Sequence, residues 1–142
     1  MPKVIVLDTH IWLWFVNGNI DNIPETWLEK IEKDSRVGIA AVSCYELALA
    51  HKKGRLELPY EAELWIDKAT TQADIELFPI TAEIAHRAVN LSPVHKDPFD
   101  RIIIATALSH SAQLASVDKL FPKYVELKDC LMQAERSGPK AD

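Results

Sequence analysis

The 142-residue chain is 48% hydrophobic and 26% charged, close to ordinary globular averages. These values exclude wholesale disorder, a collagen-like repeat and a disulfide scaffold, and the length suits one domain that can bury a core unaided. Sixteen Lys and Arg against 21 Asp and Glu leave a net charge of −5, which by bulk alone argues against binding phosphate, a process driven by Lys and Arg. No apolar run approaches the roughly 18–20 residues of a membrane span. The N-terminal stretch Val4-Ile5-Val6-Leu7 is too short for a signal peptide and ends on Asp8. Cys44 and Cys130 form no CxxC pair. Together these features predict reduced core thiols in a cytoplasmic protein.

In chain order, Val4–Leu7 reads as a buried strand and Ile11–Val16 as a buried helix. Pro24 opens a helix through about Lys33, proline suiting a first turn. Val37–Val42 reads as a second strand, followed by a helix from Ser43 to Lys53 that stops at Gly54. Glu61 to about Ala73 is helical, Ile75–Ile80 is a third strand, and Thr81 caps a helix from Ala82 to about Asn90. Asp97-Pro98 starts an apolar helix through about Ser109, and Gln113–Val117 is a fourth strand. Val125–Leu127 reads as a short edge strand, and Asp129 as the start of a last helix. Residues 1–136 are expected to form one domain, with 137–142 a flexible tail. Alternating strands and helices predict an α/β fold: a mostly parallel central sheet with helices on both faces.

In such sheets ligands bind beyond the carboxyl ends of the strands, and acids gather there. Asp8 and Asp118 directly follow strands one and four; Glu46 and Asp100 fall in the first turns of helices. Each has a purely structural alternative. Ser43 and Glu46 fit a capping box, and Asp97 could cap a helix or pair with Arg101 four residues on. Asp118 could belong to a turn, and Asp8 could cap the next helix. Four carboxylates converging on one edge, however, repel one another and need protons or cations to coexist. All-oxygen donors suit Mg²⁺ or Mn²⁺, and the chemistry implied is metal-assisted phosphodiester hydrolysis.

Other chemistries have weaker support. Four glycines make neither GxGxxG nor a P-loop. His95 has no His/Cys cluster around it and reads as a polar loop residue near the site. Trp12, Trp14 and Phe15 read more readily as core than as a binding surface. Lys52, Lys53 and Arg55 form a compact basic cluster, and Lys96, Arg101 and Lys119 lie beside candidate acids. All six are candidates for phosphate contacts, with a solvated basic face as the alternative.

These segments resemble the PIN-domain ribonucleases, and among them the VapC-like toxins of type II toxin–antitoxin pairs. The resemblance rests on Leu7-Asp8-Thr9-His10, Ser43-Cys44-Tyr45-Glu46-Leu47-Ala48, His95-Lys96-Asp97-Pro98-Phe99-Asp100-Arg101 and Ser116-Val117-Asp118, with Phe121-Pro122-Lys123-Tyr124 after them. It spans about Lys3 to Leu127 and implies a PIN-like three-layer sandwich. It also implies metal-binding and catalytic roles for Asp8, Glu46, Asp100 and Asp118, with Asp97, Ser116 and Thr9 in support. Tyr45 stands where tryptophan is common, and Ser116 where threonine is. Mg²⁺-dependent endoribonuclease activity without a covalent intermediate, a homodimer and a cognate antitoxin follow as expectations. A nuclease of the same fold in RNA processing, or a catalytically silent binding module, remain the alternatives.

Overall fold

The computed structural model describes residues 3–33 and 35–133. Four strands pair in parallel: β1 (Val4–Leu7), β2 (Arg36–Ala40), β3 (Glu76–Phe78) and β4 (Gln113–Ala115), in the order β3-β2-β1-β4. Leu7 lies level with Ile39 on one side and Ala115 on the other. The first residues beyond Leu7 and Ala115 therefore emerge side by side, and the Asp8 N–H donates to the Ala115 carbonyl at 3.0 Å. Beyond β4, Leu131 bridges to Leu114 and closes that edge.

The helices are α1 (Thr9–Asn17), α2 (Glu25–Glu32), α3 (Ala41–Lys52), α4 (Ala62–Thr70), α5 (Ala82–Val89) and α6 (Pro98–Ser109). Strand residues alternate between two cores. Ile5, Leu7, Val37, Ile39 and Ala115 meet Trp12, Trp27, Leu47 and Trp65 from α1 to α4. Val6, Ala40, Phe78 and Leu114 meet Ile103, Ile104 and Ala107 of α6. The result is the expected three-layer α/β sandwich. The buried tryptophans keep partners for their N–H groups: Trp12 donates to the Ala69 carbonyl and Trp65 to Asn17 Oδ1. Gly38 is a close-approach position, since a Cβ there would sit 2.7 Å from the Glu76 carbonyl oxygen and collide with the Phe78 ring. Among the described residues, no helix is long and apolar enough to cross a membrane.

Several expected boundaries move. The second strand ends at Ala40 rather than Val42, and α3 begins at Ala41 with no side-chain cap. Val42 stays apolar because it is buried from the helix instead of the strand, a case that a short apolar run does not distinguish. Gly54 follows α3 at φ +74°, the left-handed conformation that ends helices. The fourth strand stops at Ala115, two residues early. Val125–Leu127 is a 3₁₀ turn, its Leu127 N–H donating to the Tyr124 carbonyl, so the expected edge strand is absent. From Asp129 the chain makes a turn and the Leu131 bridge rather than a helix as far as residue 133. The expected tail, 137–142, lies outside the described residues.

Candidate active site

At the carboxyl edge of the sheet lies a cleft of about 360 Å³ lined by Asp8, Glu46, Asp97, Asp100 and Asp118. Each acid arrives by its own route. Asp8 leaves β1 and caps α1, its Oδ1 accepting from the Ile11 N–H at 2.9 Å. Asp118 follows β4 in a tight loop, its Oδ1 accepting from the Leu120 N–H at 2.8 Å. Asp97 caps α6 and accepts from the Phe99 N–H; Pro98 takes the first helical position, where its missing N–H costs nothing. Asp100 sits in the first turn of the same helix.

Glu46 differs from its capping-box alternative. Ser43 lies inside α3 and does not cap it. Instead Glu46 Oε1 accepts from the Thr9 hydroxyl at 2.7 Å, and Thr9 Oγ1 is 2.8 Å from Ser43 Oγ. Thr9 has one proton, which goes to the carboxylate, so the Ser43 hydroxyl donates to Thr9. Ser43 is fully buried; as a member of the site it escapes sequence reasoning. Ser116, also buried, accepts from the Asp118 N–H.

Electrostatics match this crowding. Burial pushes the Asp8 carboxyl above its ordinary 3.8, against the Ser116 hydroxyl and the Ile11 N–H, which pull it down. Asp100 is pushed up to about 8, first by burial and then by the charges of Asp97, Glu46, Asp118 and Asp8. Among the described residues, no Lys or Arg lines the cleft.

The PIN domain family model matches residues 5–127 of the chain. The chain belongs to the PIN domain family. Ribonuclease VapC22 of Mycobacterium tuberculosis (strain ATCC 25618 / H37Rv) is 28% identical over 116 residues, 81% of this chain and 87% of that protein. Among solved structures, VapBC2 from Rickettsia felis, bound to a promoter DNA fragment, is similar with a TM-score of 0.66. It is 16% identical, with 88% of this chain and 96% of that chain covered. VapBC-1 from nontypeable Haemophilus influenzae has a TM-score of 0.63 at 17% identity, covering 92% of this chain and 97% of that one. At these identities the two structures speak for the fold.

The remaining residues of this PIN domain divide clearly. Thr9, His10, Trp14 and Val117 complete the cleft wall. His10 and Trp14 share a face of α1 four residues apart, with ring centres 6.0 Å apart; that spacing was the signal available for them. Trp12, by contrast, is core. Lys96 and Lys119 are exposed next to Asp97 and Asp118. Lys52, Lys53 and Arg55 are exposed around the far end of α3, outside the cleft lining. Lys53 lies seven residues beyond Glu46, about 10 Å along a helix axis.

Arg101 departs from its expected role as a phosphate contact. Its guanidinium donates to the carbonyls of Ala88, Val89, Leu91, Ser92 and His95, and to the Tyr124 hydroxyl. All five N–H groups are thereby engaged, none is left for a phosphate, and Arg101 does not turn to Asp97. It ties the loop after α5 to α6, which places His95 and Asp97. Both cysteines are free and half-buried, with burial pushing their thiols up.

Proposed function

We propose that this PIN domain is a divalent-metal-dependent endoribonuclease and the toxin of a type II toxin–antitoxin pair. The observation that carries the reading is the cleft with five carboxylates and, among the described residues, no Lys or Arg in its lining. Asp8, Glu46, Asp100 and Asp118 would hold the cation, with Mg²⁺ or Mn²⁺ matched by all-oxygen donors. Among the described residues, no three His, Cys, Asp or Glu side chains stand ready as a metal-holding group. The fit therefore rests on donor chemistry and on the raised Asp100 carboxyl, pushed up by burial first and then by the neighbouring carboxylates. When bound, such a cation activates water and offsets charge on the attacked phosphate.

The chain's own residues hold the carboxylates for that task. In Asp8, Glu46, Asp97 and Asp118, one oxygen is tied by an N–H or a hydroxyl. In Glu46, Asp97 and Asp118 the second oxygen has no donor among the described residues. Thr9 and Ser116 are supporting residues in this sense, and Asp97 adds charge beside Asp100. Lys96 and Lys119 supply the phosphate contacts nearest the acids, and Lys52, Lys53 and Arg55 a second basic patch. VapC22 is named a ribonuclease, which supports the RNA substrate, and the Rickettsia and Haemophilus structures are of VapBC proteins, which supports a cognate antitoxin partner; we infer that the antitoxin covers the acid groove. A homodimer in the cytoplasm belongs to the same reading. The test is incubation of purified protein with mixed RNAs and Mg²⁺ or Mn²⁺, then with EDTA. Cleavage that EDTA abolishes is expected. No metal-dependent cleavage of any RNA would favour a binding module instead.

A further inference from the structure

Four of the five cleft acids have a donor on one carboxylate oxygen. Among the described residues, no backbone N–H or hydroxyl donates to the Asp100 carboxylate. Its neighbour is His95, whose Nε2 lies 3.3 Å from Asp100 Oδ2. That nitrogen is buried and makes no hydrogen bond of good geometry. The other ring nitrogen, Nδ1, is 2.7 Å from the Tyr124 hydroxyl. Tyr124 is 1% exposed, and its oxygen is also 3.4 Å from an Arg101 N–H.

These contacts have a direction. Arg101 can only donate, so the phenol oxygen accepts from it, and among the described residues His95 Nδ1 is the acceptor within reach of the phenol hydrogen. With Nδ1 accepting, the single proton of a neutral imidazole sits on Nε2. Nε2 lies 3.3 Å from Asp100 Oδ2, close but outside hydrogen-bond geometry. The ring is held at both ends: the His95 carbonyl accepts from Arg101 at 3.1 Å. Its ring packs edge-on to Tyr124 and Phe121, with centres 5.5 and 6.4 Å away.

We propose that His95 is a positioning residue for Asp100: the Arg101–Tyr124–His95 chain sets a protonated Nε2 beside Asp100 Oδ2 and so orients the carboxylate that would hold the cation. The inference rests on the metal-dependent reading of the cleft. It gives the spacing from His95 to Asp100 and Arg101 a physical meaning. Arg101 sets the loop, Tyr124 sets the tautomer, and His95 sets the carboxylate. An outer partner of this kind is typically worth about 10- to 100-fold in metal affinity or activity.

The experiment uses the full chain with ¹⁵N-labelled histidine, together with His95→Gln, His95→Leu and Tyr124→Phe. Gln keeps a donor near the Nε2 position, and Leu removes it. In the wild type at a pH where imidazole is neutral, NMR should show His95 protonated on Nε2, and Tyr124→Phe should mix the tautomers. By calorimetry, His95→Leu should lose about tenfold or more in Mn²⁺ affinity, and His95→Gln should recover most of that loss. RNA cleavage should follow in kcat, with KM for RNA unchanged. A proton on Nδ1, or equal Mn²⁺ affinity in wild type and His95→Leu, overturns the positioning role. A wild type that binds no Mn²⁺ at all overturns the metal reading itself, so the two failures are distinguishable.

Discussion

Replacing Asp100 with Asn should stabilise the metal-free protein. In the fold, Asp100 keeps its proton up to about 8, against 3.8 ordinarily. A raised carboxyl favours folding below 3.8, and that contribution is lost as pH climbs towards 8, where the carboxylate is ionised among four other acids. At pH 7 the folded chain still holds a proton that the unfolded chain gives up about 3 pH units lower, a ceiling of about 4 kcal/mol of lost stability at about 1.36 kcal/mol per unit. The side chain is 19% exposed, and water reaching the open cleft screens the repulsion. An effect of about 1–2 kcal/mol is therefore expected, or roughly 3–8 °C in melting temperature. The assay is a set of thermal melts of wild type and Asp100→Asn in EDTA from pH 4 to 8. The two should converge near pH 4 and separate as pH rises, with the variant higher. Saturating Mn²⁺ should reverse the order, since a hundredfold excess over Kd adds about 2.7 kcal/mol to the form that binds. A variant that melts lower at every pH, with no metal response in the wild type, would refute the reasoning.

Thr9→Val should cut RNA cleavage while leaving RNA binding intact, because Glu46 loses its tether; the stranded Ser43 hydroxyl should also cost about 1–3 kcal/mol in a urea melt. Gly38→Ala should destabilise by about 1–3 kcal/mol, since its Cβ meets the β3 backbone; a midpoint equal to wild type would contradict the strand packing. Arg101→Lys should lower the melting temperature, because three donors cannot replace five on the loop carbonyls. Lys96→Ala and Lys119→Ala should instead leave the melt unchanged and each flatten the salt dependence of RNA binding by about one phosphate contact. Unchanged salt slopes would remove those two lysines from the interface.

Local chemistry was the legible part of the sequence. Asp97-Pro98 marked a helix start because both residues act within one turn, and the structure shows that cap. Thr81 and Gly54 worked likewise. The four acids were legible as a group because strand ends in a parallel sheet share one edge, and they do line one cleft. What stayed hidden was set by partners distant in sequence. Ser43 looked like a cap because its real partner, Thr9, lies 34 residues away. Arg101 looked like a free cation because its acceptors are carbonyls of another element. His95 showed its orientation only once Tyr124, 29 residues on, was placed beside it. The run through Val42 hid a strand-to-helix change because both sides of that change are buried.

The central claim is that Asp8, Glu46, Asp100 and Asp118 together hold a divalent cation. Calorimetric titration of Mn²⁺ into the wild type and into Asp8→Asn, Glu46→Gln, Asp100→Asn and Asp118→Asn tests it most directly. Saturable binding by the wild type, weakened in all four variants, is the predicted result. Affinity unchanged in the variants, or no saturable binding by the wild type, would contradict it.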